Sequence, residues 1–208
     1  MLFLKTVEPG TFSILKELLE IPELKGFSLV GGTALSLLYG HRKSVDLDLF
    51  SPVPFENHVV VNCLSKKFGS QFFMEEKPPH FGVFSFINNV KVDFVRHPHP
   101  LIREIQMAEG VRMFSTPDII AMKVQAVLGR GKKKDFWDIA ELLDHFTVFD
   151  FVQFHREKYF AQNLMITVPQ AITYFADAEE SEDPISLKNQ SWGSVKKKIA
   201  DEVSNFLK

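Results

Sequence analysis

Apolar residues at Phe12, Leu15, Leu18 and Leu19 keep helical spacing and predict an amphipathic helix over 11–20. Phe27-Ser28-Leu29-Val30 then reads as a short buried strand that stops at Gly31-Gly32. From Thr33 the spacing of Ala34, Leu35, Leu37 and Leu38 returns to a helix, closed by Gly40. In Val45-Asp46-Leu47-Asp48-Leu49-Phe50 the period drops to two, which sets both carboxylates on one face of a strand. Val59, Val60, Leu64 and Phe68 predict a helix over 57–68. Strands at Phe72–Glu76, Val83–Ile87 and Lys91–Val95 follow, the last two joined by a hairpin turn at Asn88-Asn89.

The second half changes character. Ser115-Thr116-Pro117-Asp118 supplies a cap, a first-position proline and a first-turn acid, a strong helix start. Helices are predicted over 117–129, 133–145, 150–160, 168–178 and 195–207, with Gly129 and Gly131 separating the first pair and Glu179–Pro184 forming an acidic loop. Val195, Ile199, Val203, Phe206 and Leu207 make a stripe expected to pack into the core. The fold class is therefore α+β: a mixed β-sheet core over residues 1–110 and a helical region over 111–208, with the boundary falling within 100–113.

Composition narrows the possibilities. A chain of 208 residues, 45% apolar, can bury one core of roughly 100–150 residues plus a smaller module. Its 24 basic and 26 acidic side chains give a net charge of −2, which excludes a global positive field and makes any nucleic-acid contact local. Cys63 is the sole cysteine, so neither an internal disulfide nor a thiolate zinc site is available, and its apolar surroundings predict a buried thiol in a reducing cytoplasm. Met1-Leu2-Phe3-Leu4-Lys5 carries no leader pattern, and no stretch approaches the roughly 20 apolar residues of a membrane span. A soluble, unprocessed protein with no membrane partner is expected.

Residues 31–50 concentrate the chemistry. Gly31 and Gly32 let the backbone approach a ligand closely, and the helix that follows offers free N–H groups and a partial positive charge, which suits a triphosphate. Thr33 adds a hydroxyl donor. Transfer of a phosphoryl group requires its charge to be neutralised and its geometry fixed, and paired carboxylates such as Asp46 and Asp48 can bridge the Mg²⁺ ions that do so. Asp93, interrupting the apolar run Lys91-Val92-Asp93-Phe94-Val95, is a candidate third ligand. Three crowded carboxylates repel one another unless a divalent ion sits among them.

Gly31-Gly32-Thr33 followed by Ser44-x-Asp46-x-Asp48 resembles the signature of polymerase β-like nucleotidyltransferases. The longer form, Gly-Gly-Thr-Ala-Leu and then Gly-His-Arg-x-Ser-x-Asp-x-Asp-Leu-Phe, looks like the AbiEii/AbiGii nucleotidyltransferase toxin family of abortive-infection and toxin–antitoxin systems. Pro117-Asp118-Ile119-Ile120-Ala121-Met122-Lys123, Arg130 and Lys134-Asp135-Phe136-Trp137-Asp138-Ile139 are similar to that family's second motif region, so the likeness spans about residues 29–145. It implies a polymerase β-like core with two Mg²⁺ ions on Asp46, Asp48 and Asp93. Gly31, Gly32, Thr33 and Ser44 would lie at the nucleotide and Lys123 on its phosphates. Asp135 or Asp138 would be a later acid, and being three residues apart on a helix they face similarly, so spacing does not choose between them. The activity implied is transfer of a nucleoside monophosphate from an NTP, with release of pyrophosphate, by a toxin neutralised by a cognate antitoxin; some members act on tRNA. A small molecule or protein side chain as acceptor, or a non-catalytic nucleotide-binding protein, are the alternatives.

Arg42, in the loop before the acidic strand, could hold a phosphate bidentately or serve structure alone. Arg130, Lys132, Lys133 and Lys134 read first as a solvated helix junction, although with Arg42, Arg96 and Arg103 they would also make the basic groove an RNA needs. His97-Pro98-His99-Pro100 forms a stiff loop without further ligands nearby and is not expected to hold a metal.

Overall fold

The computed structural model describes all residues from Met1 to Lys208. In chain order the elements are α1 (Pro9–Glu20), β1 (Ser28–Val30), α2 (Gly31–Tyr39), β2 (Leu47–Ser51), α3 (Asn57–Phe68), β3 (Phe72–Phe73), β4 (Gly82–Ile87) and β5 (Val90–Arg96). They continue with β6 (Gln106–Ala108), β7 (Val111–Met113), α4 (Thr116–Gly129), α5 (Lys133–Leu142), α6 (Val148–Lys158), α7 (Val168–Ile172) and α8 (Trp192–Phe206). The strands form one mixed sheet in the order β3-β4-β5-β2-β1-β7-β6. β2 runs parallel to β5 and β1 parallel to β7, while the remaining pairs are antiparallel.

Local chemistry accounts for most of these boundaries. α2 begins at Gly31 without a side-chain cap and ends where Gly40 takes a left-handed conformation. Asn88 and Asn89 both have positive φ, as the tight turn between β4 and β5 requires. The Ser115 hydroxyl accepts the Asp118 N–H and caps α4. In β2, Leu47, Leu49 and Ser51 are buried while Asp48 and Phe50 are half-buried, so the period-two pattern separates a core face from a working face.

The β6–β7 hairpin was absent from the sequence reading. Its strands are three residues each and turn at Glu109-Gly110, both with positive φ. It extends the sheet beyond β1, so strand pairing continues to Met113. β3 closes after Phe73, short of the expected Glu76. The helix expected over 168–178 stops at Ile172 and resumes as a 3₁₀ turn at Ala176–Ala178, after the Thr173 hydroxyl turns back to the Pro169 carbonyl at 2.8 Å. Cys63 is half-buried rather than buried, because it lies on the flank of α3 between exposed Asn62 and buried Leu64.

A single hydrophobic cluster of 44 buried residues runs from Leu2 to Val203 and joins the sheet to the helices of both halves. α2 packs against both α4 and α5, which sets the strand–glycine–helix unit facing the first two helices of the second half. Val195, Ile199 and Val203 of α8 are buried as expected, but Phe206 and Leu207 are exposed because the helix runs past the core at its end.

Candidate active site

A cleft of about 320 Å³ opens where these two parts meet. One wall is made by Gly31, Gly32, Ser44, Asp46, Asp48 and Phe50; the other by Ile119, Met122 and Lys123 of α4, Arg130 just after it, and Lys134 and Asp135 from the start of α5. Both glycines serve the site's own side chains. Gly31 has φ +70°, and a Cβ there would stand 2.8 Å from Asp48 Oδ2. At Gly32 a Cβ would collide with the Arg42 guanidinium.

Arg42 lines the cleft, and three of its five N–H donors are taken: Nε and Nη2 bond Asp138 at 2.7 and 2.9 Å, and Nη1 bonds the Lys43 carbonyl at 2.9 Å. Its main engagement in the structure is thus a fork on a buried carboxylate. Asp138 also meets His41 Nε2 at 2.7 Å and Lys123 Nζ at 2.6 Å, and is fully enclosed. Lys123 Nζ is 2.8 Å from Asp135 Oδ1, and the other Asp135 oxygen accepts the Lys132 N–H to cap α5. The two acids thus separate: Asp135 lines the cleft, and Asp138 holds Lys123 and Arg42 from behind. Burial opposes the Lys123 charge, but Asp135 and Asp138 outweigh it and raise its pKa. Against the same penalty of burial, Arg42 and Lys123 hold the Asp138 carboxyl well below the usual range.

On the sheet, Asp48 and Asp93 are register partners on β2 and β5, and Asp46 immediately precedes β2. Burial and then the Asp93 charge raise the pKa of Asp48, against Lys123. Burial likewise raises Asp93, against its 2.7 Å contact with Lys91, while Asp46 adds repulsion. Asp93 Oδ1 is buried with no partner, and Asp46 Oδ2 is 3.4 Å from Lys134 Nζ. An all-carboxylate donor set with one orphaned oxygen fits a hard divalent cation such as Mg²⁺. As they stand, no three acidic, histidine or cysteine side chains are gathered into a metal-holding group, and Asp93, beside Asp48 on the next strand, is not part of the cleft lining.

Thr33 is buried, and its hydroxyl bonds the Asp46 carbonyl and Ser44 Oγ. In the structure these bonds tie α2 to the turn that presents Asp46. The basic run, which spans the junction of α4 and α5, divides between cleft and surface. Arg130 and Lys134 line the cleft, whereas Lys133 turns away to Asp183 at 2.8 Å. Arg103 is engaged with Glu157 at 3.2 Å.

Sequence reasoning missed two features. Residues 185–187 pair with 41–43: Arg42 bridges Ser186, the Lys43 N–H reaches the Ile185 carbonyl at 2.9 Å, and the Leu187 N–H reaches the His41 carbonyl at 2.8 Å. The other is an aromatic end to the cleft, where the Phe50 and His97 rings lie 5.8 Å apart and His97 and Tyr159 meet edge-on at 6.1 Å. The His97 loop is pinned by Lys158 Nζ, which reaches the Pro100 carbonyl at 3.0 Å and Asp118 at 2.7 Å. Phe50 was foreseeable, since it continues the alternation of Asp46 and Asp48.

Comparison with known proteins fits this geometry. Residues 13–205 match the family described as "Nucleotidyl transferase AbiEii toxin, Type IV TA system". The protein aq_aa25 of Aquifex aeolicus is 29% identical over 160 residues, 74% of this chain and 76% of that protein. Among solved structures, JHP933 from Helicobacter pylori superposes with a TM-score of 0.57 at 18% identity, covering 96% of this chain and 92% of its own. MenT4, a nucleotidyltransferase toxin from Mycobacterium tuberculosis, gives 0.56 at 12% identity, covering 86% and 74%. At these identities the likeness is one of fold, and that fold is polymerase β-like, as the sequence motifs implied. No helix is long and apolar enough to cross a membrane. The chain is a nucleotidyltransferase and belongs to the AbiEii toxin family.

Proposed function

We propose that this chain transfers a nucleoside monophosphate from an NTP to the end of an RNA, with tRNA as the acceptor class, in a Mg²⁺-dependent reaction neutralised in the cell by a cognate antitoxin. One observation carries the reading: a single cleft sets Asp46 and Asp48 beside an uncapped helix N-terminus and opposite Lys123, Arg130 and Lys134. The Gly31 and Gly32 N–H groups and the α2 dipole favour the phosphate chain, and Lys123 and Arg130 stand across from them to take up charge on the departing pyrophosphate. Divalent ions on Asp46, Asp48 and Asp93 would supply charge neutralisation and lower the pKa of the attacking hydroxyl. Lys91 and Lys134, now on two of those acids, would have to release them for the ions to bind. Asp135 and Asp138 keep Lys123 charged and fixed in the wall.

A second reading draws on one feature. An adjoining cavity shares Arg42, Ser44, Asp46 and Lys134 and sets Lys43 and Lys132 against Glu180, Glu182 and Asp183, a balanced lining that offers a polyanion no net attraction and suits a small-molecule or protein hydroxyl. Incubation with total tRNA and each α-³²P NTP in Mg²⁺, beside the Asp46→Asn variant, separates the two. Label on tRNA with the wild type alone supports the first reading, and label on protein or a small molecule supports the second. Equal labelling by both proteins removes the site from consideration.

A further inference from the structure

The aromatic end of the cleft has no part in handling phosphate, and its position suggests one. Phe50 lies two residues beyond Asp48 on the same strand face, about 7 Å along the strand. That is comparable with the span of a ribose between an α-phosphate and its base. Phe50, His97, Tyr159 and Met122 give this end flat and polarisable walls. Two polar groups also remain unused there. His97 Nε2 is buried without a partner, in a ring that burial and the Lys158 charge keep neutral, with a pKa pushed down to about 3. Gln125 lines the cleft with its carbonyl oxygen accepting from His155 Nε2 at 3.1 Å, which leaves its amino group free to donate.

We infer that Phe50, His97 and Tyr159 seat the nucleobase of the NTP, and that the Gln125 amide reads its edge. The inference rests on the proposed NTP reaction and adds the residues that choose the NTP. A ring stacked on Phe50 or His97 gains from contact whatever its identity, whereas the Gln125 donor rewards a base with an acceptor at that point of its edge.

The test compares binding of each NTP with binding of inorganic tripolyphosphate, in Mg²⁺, by calorimetry. Tripolyphosphate carries the phosphates without the base. The wild type should bind its preferred NTP about tenfold or more tighter than tripolyphosphate, the scale of one base–aromatic stack. Phe50→Ala and His97→Ala should erase that margin while leaving tripolyphosphate affinity unchanged. Gln125→Ala, at a half-buried site on α4 that need not disturb folding, should flatten the ranking among the four NTPs. A wild type that binds tripolyphosphate and all NTPs equally, or variants that keep both margin and ranking, would overturn the base seat and leave the transferase reading intact. Failure to bind either probe would overturn both.

Discussion

Replacing Asp48 with asparagine should make the metal-free protein more stable while abolishing nucleotide transfer. Asp48 and Asp93 occupy paired positions on adjacent strands. Neighbouring strands lie about 4.8 Å apart, and two unit charges at about 5 Å repel by about 3 kcal/mol at an effective dielectric near 20. Lys91 on Asp93, and Lys123 across the cleft, offset part of this. A net gain of about 1–2 kcal/mol on removing the Asp48 charge corresponds to a rise in Tm of roughly 2–8 °C for a chain of this size. The sign follows from proton linkage. A carboxyl whose pKa is raised by folding binds more protons in the folded state, so its charged form lowers stability as pH rises from the ordinary value of 3.8 through the raised one. The advantage of asparagine should therefore appear across that window, persist at neutral pH and vanish in acid, where Asp48 is protonated in both states. Thermal melts in EDTA from acid to neutral pH test this. Adding Mg²⁺ should then raise the wild-type Tm and leave Asp48→Asn nearly unmoved. A variant that melts lower than the wild type in EDTA at neutral pH, or that gains as much from Mg²⁺, would refute the crowded-carboxylate account.

The remaining predictions concern the framework behind the acids. Asp138→Ala should cost about 3–5 kcal/mol in urea denaturation, because it strands Arg42 as a buried unpaired charge and leaves Lys123 with Asp135 alone; Asp135→Asn, which leaves Asp138 in place, should cost less and act mainly on transfer. The depressed Asp138 carboxyl contributes stability that is complete above 3.8 and lost as pH falls towards its lower folded value. Melting of the wild type, followed from pH 5 into acid, should show that loss, and Asp138→Asn should lack it. Gly32→Ala should push Arg42 off Asp138, lowering the urea midpoint and transfer together, whereas Gly129→Ala, with open space around its Cβ, should leave transfer unchanged.

What the chain disclosed in advance follows the range of the forces involved. The alternation around Asp46 and Asp48, the paired asparagines at 88–89 and the Ser115 cap each act over a few residues, so their outcome is written locally. The β6–β7 hairpin escaped because three-residue strands are too short to display a period, and Glu109-Gly110 is a weak turn signal beside Asn-Gly. Arg42 and Asp138 are separated by 96 positions. Nothing in the spacing of either says that they meet, and only the packing of α2 on α5 makes Asp138 the buried hub and leaves Asp135 at the cleft. The bond from Thr33 to the Asp46 carbonyl was hidden for a related reason: a hydroxyl beside a glycine turn carries no local sign of a partner in the following loop. His97, set aside as a metal ligand, had no local mark of its place in the cleft wall.

The pairing of residues 41–43 with 185–187 sets an order of assembly during synthesis. A ribosome delivers the glycine turn and the acidic strand early, but the strip that braces the Arg42 loop emerges only after α4 to α7 have been made. Until then Arg42 and Lys43 lack their backbone partners, and a prematurely terminated product ending before Ile185 lacks them permanently. For an enzyme of a toxin family, this arrangement ties the finished geometry of the cleft to synthesis of the 185–187 strip, so that shorter translation fragments carry the acidic motif without its brace.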